Sequence, residues 1–144
     1  MNIGEKRGTL TTEAIQVLLK AAVERAQELD IKVHISVMDS AAELAGWISC
    51  AGAPRIAATT AHRKSFTAVN TGMPTSQWKT YTAAAPDEER KIVESIEGYI
   101  SADGGIPVID DGILLGGIGV SGASQEADED VAQAAVRALE TASR

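Results

Sequence analysis

The stretch GGIGVSGAS, Gly116 to Ser124, decides how this chain is to be read. From Gly117 to Gly122 it spells G-x-G-x-x-G, the letters of a dinucleotide-binding turn, and an apolar run, Ile113 to Leu115, precedes it. Such a turn works only where it opens a βαβ unit, with an acidic residue about 20 positions on at the end of a second parallel strand. Only 22 residues follow Gly122, and they read as a single helix. A parallel crossover would exhaust that length. Position therefore excludes the dinucleotide fold. Two uses of the glycines remain. Strand glycines admit a closely packed backbone or helix. Alternatively, the N–H groups from Val120 to Ser124, with the helix N-terminus behind them, hold an anion.

Outward from this stretch, hairpin signals dominate. Asp110-Asp111-Gly112 separates the β-rich runs IPVI and ILLGGIGVSG, an Asp-Gly turn signal. Near the N-terminus IKVHISVMD alternates, with Val33, Ile35 and Val37 on one face and His34, Ser36 and Met38 on the other. The short link Asp39-Ser40-Ala41-Ala42 joins it to a second strand, ELAGWIS. YIS, from Tyr99, reads as one further short strand. Helices are expected in four places. Ile15, Leu18, Leu19, Ala22, Ala26 and Leu29 follow the caps Thr11 and Thr12. Pro54 to Val69 is the second, and PDEERKIVESIE, after a short turn at SQWKTY, the third. Ala127, Val131, Ala134, Ala135, Ala138 and Ala142 mark the last, with Ser124 as N-cap and Glu126, Asp128 and Glu129 favouring its positive end. The expected architecture is a mainly antiparallel sheet of about five strands covered by helices.

The chain's 144 residues suit one domain, and 44% hydrophobic content with only 3% aromatics implies a core of close backbones rather than stacked rings. A net charge of −7 leaves no basic stripe for a nucleic acid. No apolar run approaches the roughly 20 residues of a membrane span. MNIGEKRGTL lacks a secretory h-region, so a cytoplasmic location is expected. Cys50 is the single cysteine and excludes an internal disulfide.

The side chains that bear chemistry are few. Asp39 ends the first strand and Lys64 lies mid-helix, both beside small residues. They are candidates for a shared pocket, and equally for a structural ion pair or, for Asp39, a cap. A buried Lys64 is an anion binder or a Schiff-base amine in prospect. His62 points roughly 160° away from Lys64 at about 100° per residue. No H-x-x-x-H or C-x-x-C spacing makes a metal cluster. A haem needs only one axial ligand, so His62, His34 and Cys50 are each candidates, beside their ordinary roles as surface or core residues.

Two segments together resemble a family. Gly104-Gly105-Ile106-Pro107-Val108 and Gly116-Gly117-Ile118-Gly119-Val120-Ser121-Gly122, with SVMD ending the first strand and Lys64 in the second helix, are similar to the GlcG/HbpS family of haem-degrading-like domains. That family includes the C-terminal domain of the PduO adenosyltransferases. The resemblance runs from Leu10 to Leu139. It implies a profilin-like α/β/α layer fold of the α+β class, with a five-stranded antiparallel sheet, and homo-oligomers, often octamers. Some members bind haem or a corrinoid. The chain departs from the family where Asp39 is followed by Ser40-Ala41-Ala42 instead of a Gly-Gly, and where Lys64 is followed by Ser65 instead of Ala.

Two functions follow as expectations. The first is a cytoplasmic, oligomeric small-ligand-binding protein with haem or another tetrapyrrole as candidate ligand. Its pocket is expected to be lined by Asp39, Lys64, Gly104, Gly105, Val120, Ser121 and Gly122. Amides near Ser121 would accept the ligand's carboxylate and Lys64 would supply charge. The second is a cofactor-independent enzyme acting on a small carboxylic acid, such as an aromatic ring-cleavage product, with Lys64 and Asp39 sharing proton transfer.

Overall fold

The computed structural model describes all 144 residues. In chain order it contains α1 (Thr12–Glu28), β1 (His34–Asp39), β2 (Leu44–Ser49), α2 (Ile56–Thr71), α3 (Thr75–Ala83), α4 (Asp87–Glu94), β3 (Gly105–Asp110), β4 (Ile113–Ser121) and α5 (Gln125–Ala142). The strands form one antiparallel sheet in the order β2-β1-β4-β3.

The expected helix starts are where side chains can satisfy free amides. Thr11 accepts from Ala14 N and caps α1; Ser124 accepts from Ala127 N and caps α5. Gly72, at φ 68°, closes α2 in the left-handed conformation that favours glycine. Asp111 and Gly112 both have positive φ, as a two-residue type I′ hairpin requires.

The sheet has four strands rather than five. YIS does not pair, because helices claim its polar groups. Ile100 N donates to Thr67 Oγ1, Arg63 donates to the Tyr99 carbonyl, and the Tyr99 hydroxyl lies 3.4 Å from Thr82 Oγ1.

Both faces of the sheet are covered by helices. Val33, Ile35 and Val37, with Ile118 and Val120, pack against Leu18, Ala22 and Ala26 of α1 and Val131, Ala132 and Ala135 of α5. The opposite face carries Ser36 and Gly119 against α2, with a hydrogen bond of 2.7 Å between Ser36 Oγ and Ser65 Oγ. Here the glycines have their explanation. A Cβ on Gly119 would run into the carbonyl of Ala61 and the amide of Ser65. One on Gly117 would meet the Val69 side chain at 2.8 Å. The strand glycines therefore let the α2 backbone lie directly on β4.

Candidate functional site

Lys64 leaves the α2 layer at the end of the sheet where β4 finishes and β3 begins. Its Nζ donates to the Val120 carbonyl at 3.0 Å and to Asp128 Oδ2 at 3.0 Å. Asp128 belongs to α5, on the other side of the sheet. The pair therefore ties the two helical layers together around the sheet's end. Gly104 and Gly105 make the passage: a Cβ on Gly104 would meet Lys64 Cδ and Nζ at 3.0 Å, and one on Gly105 would meet the Lys64 carbonyl. Val120 N donates to the Gly104 carbonyl at 2.9 Å, which locks the two glycine motifs to each other.

The anion-holding turn expected at VSGAS is formed, and its anion is internal. Asp128 Oδ1 accepts from Ala123 N at 3.0 Å, and the amide of Gly122 also reaches this carboxylate. Asp128 is 2% exposed and Lys64 3%. Burial holds the Asp128 carboxyl above its ordinary value, and the Lys64 ammonium and neighbouring amides offset only part of that rise. Lys64 is thus enclosed, with two of its three N–H groups spent on Val120 and Asp128. Ser121 is also engaged, its hydroxyl 2.6 Å from Thr60 Oγ1.

The structure thus gathers Lys64, Gly104, Gly105, Val120, Ser121 and Gly122 into one node, and leaves Asp39 out. Asp39 pairs with Gly116 across the sheet, four residues along β4 from Val120. At about 3.3 Å per residue that is roughly 13 Å away. Its carboxylate accepts from Ala41 N at 2.9 Å and Glu43 N at 3.1 Å, so it shapes the β1–β2 turn. Lys64 and Asp39 do not meet, and proton transfer shared between them has no geometry here. Asp128, which by sequence only favours the start of the last helix, is the acid that meets Lys64.

The three candidate haem ligands differ sharply. His34 is 6% exposed and spends both ring nitrogens. Its Nε2 donates to the Pro54 carbonyl at 2.8 Å, which leaves Nδ1 to accept from Ser49 Oγ at 2.8 Å, itself a target of the Trp47 indole N–H. Cys50 packs against the core as a small apolar side chain. His62 stands exposed on α2, with no hydrogen bond to its ring.

A cleft of about 380 Å³ lies between α2, α3 and the segment after α4, lined by Phe66, Trp78, Val93, Ile96 and Tyr99 among others. Phe66 is one helical turn beyond His62 on the same stripe of α2. A second cleft, of about 340 Å³, lies between the N-terminal segment, α5 and the β3–β4 hairpin.

A helix-covered antiparallel sheet with its two glycine motifs locked by a buried Lys–Asp pair defines a small single-sheet α+β domain. The chain belongs to the HbpS-like family, described as haem degrading protein HbpS-like, whose model matches residues 10–137. It is 35% identical over 133 residues to the corrinoid adenosyltransferase PduO of Salmonella typhimurium. That match takes in 90% of this chain and 39% of PduO, so the chain spans about two fifths of that relative's length. The crystal structure of a PduOC:heme complex superposes with a TM-score of 0.82 at 31% identity, covering 90% of this chain and 94% of the other. A double mutant of Streptomyces reticuli HbpS superposes with a TM-score of 0.86 at 31% identity, covering 96% of this chain and 92% of the other.

No helix is long and apolar enough to cross a membrane, and no group of three or more His, Cys, Asp or Glu side chains stands ready for a metal ion.

Proposed function

We propose that this chain is a tetrapyrrole-binding domain, with haem as its ligand and His62 as the axial residue. The observation that carries the reading is the likeness over nine tenths of the chain to a domain crystallised with haem. The residues present fit at one point. An imidazole can ligate a haem iron only through a ring nitrogen that is free. His62 offers one at the surface, whereas His34 would have to break two hydrogen bonds of 2.8 Å. Haem, when bound, supplies a redox-active iron. The chain's own contribution is to present the His62 ring from a helix held rigidly on the sheet. Lys64 is not available to the propionates, since Asp128 neutralises it in the interior. Assembly into a homo-oligomer belongs to the same proposal. Exposed apolar side chains at Leu44, Ile56, Ile109 and Ile113 support it, as surfaces that a second copy would cover.

Haemin titration tests the reading. The wild type is expected to give a Soret band that saturates at a fixed stoichiometry, Cys50→Ala to leave it unchanged, and His62→Ala to shift or abolish it. Absence of a saturable band overturns the ligand. A band that His62→Ala leaves untouched overturns the axial assignment.

A further inference from the structure

The cleft of about 340 Å³ between the start of α1, the end of α5 and the β3–β4 hairpin has a complement elsewhere in the chain. Its floor is aliphatic: Val17, Leu115, Val136 and Leu139 line it and are only half-buried. A cavity of about 150 Å³ holds a benzene ring, so this one has room for more than one aliphatic side chain. Three exposed carboxylates, Glu13, Asp110 and Glu140, also line it, and no Lys, Arg or His does. None of the three has an ion-pair partner in the chain. The complement is the segment before α1. Residues 1–7 are exposed and without secondary structure, and a Cβ on Gly4 would have nothing within 4 Å. Ile3 stands 91% exposed. Lys6 and Arg7 follow it, both without an ion pair, against a single acid, Glu5. In its own chain the segment is fastened to β4 and lies clear of the cleft. Leu10 N donates to the Leu115 carbonyl at 3.0 Å, and a Cβ on Gly8 would meet the Leu115 side chain at 2.7 Å. None of residues 1–8 lines the cleft.

We propose that residues 1–8 are an arm exchanged between copies of this chain, with Ile3 seated in the aliphatic cleft of a second copy and Lys6 and Arg7 against that copy's Glu13 and Glu140. This rests on the reading of the chain as a homo-oligomer and names the segment that joins the copies. Apolar surface left uncovered on both the arm and the cleft supplies the driving force. The basic pair on the arm and the unpaired acids of the cleft select the partner and fix the register. The arm has the reach, since eight extended residues span roughly 26–29 Å.

A mixing experiment on the full chain, followed by sedimentation velocity, tests the exchange. Lys6→Glu with Arg7→Glu makes the arm acidic. Glu13→Lys with Glu140→Lys makes the cleft basic. All four positions are exposed, and a lysine near the end of α5 offsets, through the helix dipole, the one placed at the start of α1. Each double variant alone should dissociate at a roughly tenfold higher concentration than the wild type. Mixed in equal amounts the two should reassemble, because each arm then meets a cleft of opposite charge. A contact made within one chain cannot be restored by mixing. Ile3→Asp should weaken assembly by at least roughly tenfold. Cooperative thermal unfolding of each variant checks that it is folded. A wild type that is monomeric at every concentration overturns the homo-oligomer and the arm with it. A wild-type oligomer whose affinity the charge variants and Ile3→Asp all match overturns the arm and leaves the oligomer standing. Folded variants that dissociate and do not recover on mixing overturn the pairing of arm with cleft.

Discussion

Two regions of the molecule invert the expectation raised by their sequences. The glycine motifs around Lys64 have the letters of a ligand site, and the structure fills them with the chain's own atoms. The segment from Thr75 to Tyr99 has no motif at all, and with α2 it builds the aromatic cleft, where the buried indole N–H of Trp78 has no partner within the chain. The difference teaches that glycines beside an anion-holding turn mark close approach, and that the approaching group can be internal. At one region a carboxylate, an ammonium and two amides satisfy one another. At the other a polar group is left over.

If the first region is structural, its largest consequence is for stability. Asp128→Ala leaves the Lys64 ammonium buried and unpaired, and should destabilise the fold by about 3–5 kcal/mol in denaturant unfolding. The double change Lys64→Met with Asp128→Leu removes both charges and should recover most of that loss. Two residues further along α5, Asp130 provides the contrast. It takes the Arg25 Nε–H at 2.7 Å, linking α5 to α1, but its side chain is 39% exposed. Asp130→Asn should cost less than about 1 kcal/mol, and less again in high salt. The hydrogen bond from Arg25 holds the Asp130 carboxyl below its ordinary value. Its contribution is therefore present above the ordinary carboxylate pKa and fades as the pH falls through the lowered one. Unfolding free energies of wild type and Asp130→Asn should converge on acidification.

The smallest effect lies at the far end of the sheet, in the turn that Asp39 shapes. Ala42 holds φ 60° there, in the left-handed region that favours glycine. That conformation costs an L-residue about 1–2 kcal/mol, partly offset by the greater unfolded freedom of glycine. Ala42→Gly should stabilise the protein by about half a kcal/mol, read as a raised denaturation midpoint.

The sequence carried most of the fold because local signals and periodicity agreed. Thr11 and Ser124 cap where they stand, Asp111-Gly112 turns the last hairpin, and β1 alternates between two covered faces. YIS misled because three residues of β-favouring composition say nothing about a pairing partner. Tyr99 and Ile100 instead bond to α2 and α3 side chains distant in sequence. Around Lys64 the structure brings the paired glycine motifs together, and the acid beside it is Asp128 rather than Asp39. Asp39 sits conspicuously at a strand end, whereas Asp128 looks like one of several acids favouring the start of α5. A signal did exist. Asp128 shares the buried stripe of Val131, Ala132 and Ala135, just as Lys64 shares that of Ala57, Ala61 and Ala68. Two opposite charges, each on an apolar stripe, are a buried pair waiting for a fold. The cleft around Trp78 left no such trace, because an unpaired indole is a property of three-dimensional packing alone.

The central claim is that the glycine–lysine node holds the fold while ligand is taken elsewhere. Haemin titration of the Lys64→Met, Asp128→Leu double variant tests it most directly. A folded double variant should show the wild-type Soret spectrum and stoichiometry. A folded double variant that loses the band, beside a His62→Ala variant that keeps it, would place the ligand at the node and contradict the account.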